Sequence, residues 1–173
     1  MGYSTMSKVF PWYETTTGPD IEQGDFLYEC THYRFEPDGE LIGDQRNCVI
    51  LSHSCDLSNG KLQIVQVCPF APLEELEDSF GYLRTRKGRE ELRRGNLPGY
   101  HLLNKCEIEG SVHDFLVVDF RSLFGIPLDL ARNLAISQSP RVRLLPPYRE
   151  HLAQAFARFF MRVGLPIDVP AFN

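Results

Sequence analysis

The sequence contains no Cys-x-x-Cys pair and no long apolar run. Its five cysteines are widely spaced and odd in number, so reduced thiols are expected and a disulfide framework is not. No stretch approaches the roughly 18 consecutive apolar residues that span a bilayer, and no basic start is followed by an apolar segment. We therefore expect a cytoplasmic protein without membrane association.

An excess of positive charge is also missing. The 18 lysines and arginines are outnumbered by 23 aspartates and glutamates, which gives a net charge of -5. The chain therefore lacks the global positive field of a nonspecific polyanion binder such as a histone tail, and any contact with nucleic acid must be local. With 173 residues, 43% of them hydrophobic, the chain is long enough for one domain with a substantial core.

The distribution of residue types predicts an irregular arm followed by a single domain. Residues 1–22 contain prolines and threonines but no periodic apolar pattern, which predicts the arm. Residues 23–173 form the domain. Within it, residues 72–98 are a highly charged insertion that predicts one or two short surface helices. Apolar residues recur at helical spacing over residues 148–163, which predicts a C-terminal helix.

Short apolar runs between turn signals predict a β-rich α+β fold. Strands are expected over residues 25–34, 47–53, 62–68, 100–103, 115–120 and 141–145, and a short helix over residues 128–135. The turn signals Pro37-Asp38-Gly39 and Asn59-Gly60 separate the first three strands. These turns are short enough for hairpins, so we expect the three strands to pair antiparallel in chain order.

Part of this β-rich region resembles the opening of the MazF/PemK-type toxins. The matching features are Gly24-Asp25-Phe26 at a strand start, Arg46-Asn47 before an apolar strand that ends in Ser52, and a following strand with Pro69 near its end. The resemblance covers about residues 23–70. It implies an SH3-like, PemK-like small barrel of about five to seven strands.

The resemblance also implies metal-free cleavage of single-stranded RNA, in bacterial toxin-antitoxin or defence biology. In that family the active centre uses an arginine before the apolar strand, a position that Arg46 occupies here, and a threonine or serine after the next strand. Phe70-Ala71 replace that hydroxyl residue, and Asn47 replaces a proline. Because losing a group that contacts the transition state costs orders of magnitude in rate, it stays open whether the chain is an endoribonuclease or only binds RNA.

A dense polar cluster at residues 52–56 follows the second apolar strand. A thiol beside an imidazole favours a nucleophilic Cys55, with Asp56 next to it. Its base would be the nearby His53, or His101 or His151 if folding brings one of them to the thiol. The structural alternative is an Asx-type turn, in which Asp56 and Ser58 accept hydrogen bonds from backbone amides after the strand.

Zinc is an alternative use of the same residues. Cys30 and His32 are two residues apart, as are His53 and Cys55, and the four together would supply the ligands of a tetrahedral site. Their spacing is not that of a zinc finger. The structural alternative is that Cys30 is packed in a strand and His53 is an ordinary loop histidine. No cofactor is expected otherwise.

Two basic segments are candidates for phosphate binding. Arg149 and His151 lie at the start of the predicted last helix, where free amides and the helix dipole favour an anion. Six basic residues fall within residues 84–94 and are interrupted by Glu90 and Glu91. This stretch could contact a nucleic-acid backbone, or it could be a solvated helix face with internal ion pairs.

These features together predict a divergent MazF/PemK-like protein that acts on or binds RNA through a barrel groove, with Arg46 at its mouth. One alternative is a noncatalytic protein-binding or regulatory module on the same barrel, favoured by the acidic charge and the missing hydroxyl. A zinc or thiol site centred on Cys55 is the other. The expected partner is RNA or a protein, and a homodimer is left open.

Overall fold

The structure, a computed structural model, describes residues 10–161 as an α+β protein with an antiparallel sheet and five α-helices. The strands are β1 (Tyr13–Thr16), β2 (Phe26–Phe35), β3 (Leu41–Ile50), β4 (Ile64–Pro72), β5 (Tyr100–Leu103), β6 (Leu116–Asp119), β7 (Phe124–Pro127) and β8 (Arg141–Leu144). The helices are α1 (Ser54–Ser58), α2 (Leu73–Ser79), α3 (Arg86–Arg93), α4 (Leu128–Ser137) and α5 (Tyr148–Phe160). The last two residues of the predicted C-terminal helix lie outside the described part of the chain. None of the helices in residues 10–161 is both long and apolar enough to cross a bilayer.

The first long strands pair as the turn signals predict. β2 pairs antiparallel with β3, and β3 pairs antiparallel with β4. β3 begins at Leu41, six residues earlier than expected, because the turn is tight: Glu36 donates to the carbonyl of Glu40 at 2.8 Å. Both arms therefore pair up to the turn, and residues 30–46 form a two-stranded ribbon that β4 does not reach.

β4 connects the two halves of the sheet. It pairs with β3 through Val67–Pro69, with β7 through Ile64–Val67 and with β6 through Phe70–Pro72, while β5 pairs with β6. All of these pairings are antiparallel. The strands described within residues 10–161 form this open arrangement and do not close into a barrel.

Helices cover both faces of the sheet, which explains why the central segments Cys48–Ile50 of β3 and Val67–Phe70 of β4 are apolar and buried. Phe26 and Val49 pack in one buried cluster with Leu152 of α5. The residues next to them, Leu27 and Cys48, point to the opposite face and pack in a second cluster, which includes two alanines of α4. Alternate side chains of each strand are thus buried on opposite faces of the sheet.

Residues 10–22 of the predicted N-terminal arm are more ordered than the sequence pattern suggests, and residues 1–9 lie outside the described part of the chain. β1 pairs antiparallel with β8. The Trp12 ring stacks on Tyr148 with centroids 3.6 Å apart, and the Tyr13 hydroxyl donates to the Asn104 carbonyl at 2.6 Å. A four-residue strand shows too little periodicity to be predicted, and here distant partners hold it in place.

The charged insertion folds onto the far end of the sheet. α2, a 3-10 turn at Gly81–Arg84 and α3 follow one another, and Leu83 and Leu92 are buried against Val117 of β6. A Cβ atom on Gly88 would lie 2.1 Å from the Tyr82 carbonyl oxygen, so only glycine allows α3 to approach this turn. The insertion therefore has its own small core, and α3 is held with its arginines exposed.

Candidate nucleic-acid interface

A cavity of about 510 Å³ lies between α3 and α5, above β5. Arg93 and Arg94 line it from the end of α3, His151 and Arg158 line it from α5, and His101 lines it from β5. Three separate segments thus bring five basic side chains around one space. We call this cavity, together with its neighbour described next, the arginine cleft.

A second cavity of about 770 Å³ extends along α3. It shares Arg93 and Arg94 with the first cavity and is also lined by Arg84, Arg86 and Arg89. Among the described residues that line either cavity, Glu90 is the only carboxylate. This lining is therefore locally positive, on a chain whose net charge is -5.

Ion pairs orient these arginines and cancel part of their charge, since Arg84 pairs with Asp78 and Arg89 with Glu77. Glu90 accepts hydrogen bonds from Arg93 at 2.8 Å and from Arg94 at 2.6 Å, so one carboxylate is shared by two guanidiniums. These bonds lower the pKa of Glu90 to about 2. Arg89 binds Glu77 through two bonds of 2.7 and 2.8 Å. In the described part of the chain, Arg158 donates only to the backbone carbonyl of Gln154, at 3.3 Å.

The environment of His101 disfavours its protonated form. Burial, together with the charges of His151 and Arg158, lowers the pKa of this histidine to about 4. The ring of His101 lies over Phe120, with centroids 6.2 Å apart. At neutral pH His101 is therefore an uncharged hydrogen-bonding group inside a cationic cavity.

The arginine singled out by the toxin resemblance lies elsewhere. Arg46 is exposed on the ribbon, opposite Cys30 on β2, and forms an ion pair with Asp44. Asp44 also lies 3.3 Å from His32. Partial burial opposes ionisation of Asp44, but Arg46 and His32 together keep the pKa of this carboxyl below its ordinary value. Arg46 is thus held by a neighbour and lies outside the cavities that contain Cys55.

Cys55 and His53 line a cavity of about 340 Å³ together with Arg149 and Glu150. The Cys55 thiol is exposed, whereas the other four cysteines are buried. His53 Nδ1 accepts a hydrogen bond from the Cys55 amide at 3.3 Å, so this histidine caps the start of α1. Asp56 lies 3.9 Å from Lys61, an exposed pair. The turn expected from Asp56 and Ser58 is replaced by the short helix α1.

The two candidate phosphate ligands of α5 separate into different cavities. Arg149 lines the Cys55 cavity and is engaged by Glu22 at 3.2 Å and by Glu150 at 3.0 Å. His151 lines the arginine cleft. Residues two positions apart on a helix point to nearly opposite sides. The carboxylates around Arg149 leave it poorly placed to bind an anion.

The four residues considered as zinc ligands do not come together. Cys30 is fully buried, while His32 lies on the ribbon near Asp44. His53 and Cys55 lie at the start of α1. Within residues 10–161, no group of three or more histidine, cysteine or acidic side chains is arranged to hold a metal ion.

The sequence offered His101 only as a base for Cys55, and Arg158 was not selected at all. His101 instead lines the arginine cleft and is absent from the cavities that contain Cys55. The arginine-rich stretch was visible as a candidate, but nothing local connects it with a strand residue or with the last helix. The chain matches no protein-family model and no curated protein. We therefore infer function from the geometry of the arginine cleft.

Proposed function

We propose that the arginine cleft binds the sugar-phosphate backbone of RNA. The observation that carries the proposal is the lining of the two adjoining cavities. Within residues 10–161, their basic members are Arg84, Arg86, Arg89, Arg93, Arg94, Arg158, His101 and His151, and the single carboxylate is Glu90. Guanidinium groups present paired donors that match phosphate oxygens, and phosphate contacts supply most of nonspecific affinity for nucleic acid.

The shape of the cleft favours a chain of phosphates over a single small anion. The cavities adjoin along α3 and share Leu92, Arg93 and Arg94. Successive arginines of one helix therefore face a continuous space. A polyanion can contact them simultaneously, whereas a free phosphate would reach only one or two.

The choice of RNA comes from the resemblance to the MazF/PemK-type toxins, which we keep as part of the proposal. The antiparallel order of β2, β3 and β4 is compatible with the first half of a PemK-like barrel. The position of the family's hydroxyl residue is taken by Phe70, which is 7% exposed and belongs to the core. The absence of the hydroxyl supports binding of RNA rather than its cleavage. The binding site that we propose lies between the insertion and α5, and not in a groove at Arg46.

Arg158→Ala tests the proposal, with Arg34→Ala as the matched control. Arg158 lines the cleft, whereas Arg34 is an exposed arginine on the ribbon, paired with Glu36. Fluorescence anisotropy with a labelled single-stranded RNA should show an affinity about fivefold lower for Arg158→Ala, equivalent to roughly 1 kcal/mol. The slope of log affinity against log salt should fall by about 0.7, the value for one lost phosphate contact.

Arg34→Ala should bind like the unaltered protein. Equal affinity losses in the two variants would show that the positive charge acts nonspecifically and not through the cleft. Failure of the unaltered protein to bind RNA at low salt would overturn the proposal altogether.

A further inference from the structure

A smaller cavity of about 250 Å³ opens beside the arginine cleft. It is lined by Phe80, Tyr100 and Arg121, together with Leu97 and Pro98. Tyr100 and Pro98 also line the cleft. The two spaces therefore adjoin, and the smaller one is lined mainly by flat or apolar groups.

The two aromatic rings in this cavity are close to parallel. The planes of Phe80 and Tyr100 are tilted by 26°, and their centroids are 6.3 Å apart. Phe80 lies at the C-terminal end of α2 and is 38% exposed. An exposed aromatic side chain at the edge of a cavity offers a face on which another planar group can stack.

Arg121 adds a third flat surface. Its guanidinium carbon lies 4.3 Å from the centroid of the Tyr100 ring. Asp119 holds it through hydrogen bonds of 2.8 and 2.9 Å, and the guanidinium also donates to the Tyr100 hydroxyl. The carboxylate balances the charge of Arg121, so its role in this cavity is to hold the tyrosine ring in a fixed orientation.

We propose that the cavity formed by Phe80, Tyr100 and Arg121 stacks an unpaired nucleobase of the strand bound in the arginine cleft. This inference rests on the proposed function, because the adjoining cations would hold the backbone. Every nucleobase has an aromatic face, so stacking tolerates sequence variation. Bases of a duplex are already stacked and paired, so the cavity selects single strands.

A pair of oligoribonucleotides of equal length and charge tests the inference. One carries normal bases, and the other is abasic over its central positions. Anisotropy should give about tenfold weaker binding for the abasic oligomer, the range found for loss of base–aromatic stacking. Phe80→Ala should weaken binding of the normal oligomer to the abasic level and leave binding of the abasic oligomer unchanged.

Phe80→Trp provides a second measurement that depends on an intact fold. The larger ring should preserve binding, and its emission should be quenched by the normal oligomer but not by the abasic one. The natural Trp12 is stacked on Tyr148, so its signal in the unaltered protein serves as the baseline. Thermal melting of both variants verifies that they are folded.

The possible failures separate the two proposals. If the normal and abasic oligomers bind the unaltered protein equally, with salt-dependent affinity, base stacking is overturned and backbone binding stands. If neither oligomer binds, both proposals fail. If Phe80→Ala weakens binding of both oligomers equally, Phe80 supports the cleft and does not contact a base, which also overturns the inference.

Discussion

The arginines of β8 and those of α3 illustrate opposite uses of one residue type. Arg141 and Arg143 are buried around Asp25, whereas the arginines of α3 are exposed along the cleft. The difference lies in how fully each guanidinium is already hydrogen-bonded. A guanidinium whose donors are all engaged inside the protein is structural, while one with free donors at a cavity can bind a ligand.

The buried set is nearly saturated. Arg141 donates to Asp25 at 2.9 Å and to the carbonyls of Gly18 at 2.8 Å and Asp20 at 2.6 Å. Arg143 also binds Asp25 and reaches Glu22 at 2.7 Å. These bonds join residues of the N-terminal segment to β8, more than a hundred positions away. The network therefore fixes residues 18–25 against β8.

The exposed set is held more loosely. Arg93 and Arg94 share one exposed carboxylate with each other. Such pairs contribute about 0 to 1 kcal/mol to stability. Their guanidiniums can therefore exchange a carboxylate for a phosphate at little cost in folding free energy.

The largest expected loss of stability comes from removing one of the buried arginines. Arg141→Ala leaves Asp25 without a full set of partners inside the protein, and this should lower the free energy of unfolding by about 3 to 5 kcal/mol. Arg158→Ala, which removes an exposed arginine, should change it by less than about 1 kcal/mol. Urea denaturation of both variants measures the contrast. A loss below about 1 kcal/mol for Arg141→Ala would mean that the buried network is not structural.

A smaller change in stability is expected when the pH is lowered, because His101 lies in the arginine cleft. Folding lowers the pKa of His101 from 6.5 to about 4, so below pH 6.5 the unfolded chain takes up a proton that the folded chain does not. The contribution of neutral His101 is therefore present at pH 7 and lost as the pH falls from 6.5 to about 4.

His101→Gln, which has no such titration, provides the reference. Between pH 7 and about pH 4.5 the unaltered protein should lose on the order of 2 kcal/mol more stability than the variant, since one pKa unit corresponds to about 1.4 kcal/mol and the ring is not completely buried. Identical pH profiles from urea denaturation would show that His101 is not in a desolvated, cationic environment.

Local sequence patterns were sufficient for most of the fold. The turn at Pro37–Gly39 and the apolar runs around it predict β2 and β3, and helical periodicity predicts α4 and α5. β1 and β7 were not predicted, because strands of four residues carry almost no periodic signal and depend on their pairing partners.

The candidate site was only partly predictable. The basic stretch at residues 84–94 could be recognised, but its meeting with His101 and Arg158 depends on the tertiary arrangement of β5 and α5. Arg141 and Arg143 alternate with Val142, a pattern typical of an exposed strand face. Their burial depends on Asp25, which is more than a hundred residues away in the chain.

The most direct test compares Arg93→Ala/Arg94→Ala with Arg46→Ala in binding to a labelled single-stranded RNA. The double variant removes two cations from the cleft, whereas Arg46→Ala removes the arginine of the ribbon. We expect the double variant to bind RNA at least about tenfold more weakly, equivalent to about 1.4 kcal/mol. Arg46→Ala should bind RNA as the unaltered protein does, and the melting temperature of both variants should be nearly unchanged. Loss of binding in Arg46→Ala, with full binding by the double variant, would contradict it and place the RNA site on the ribbon.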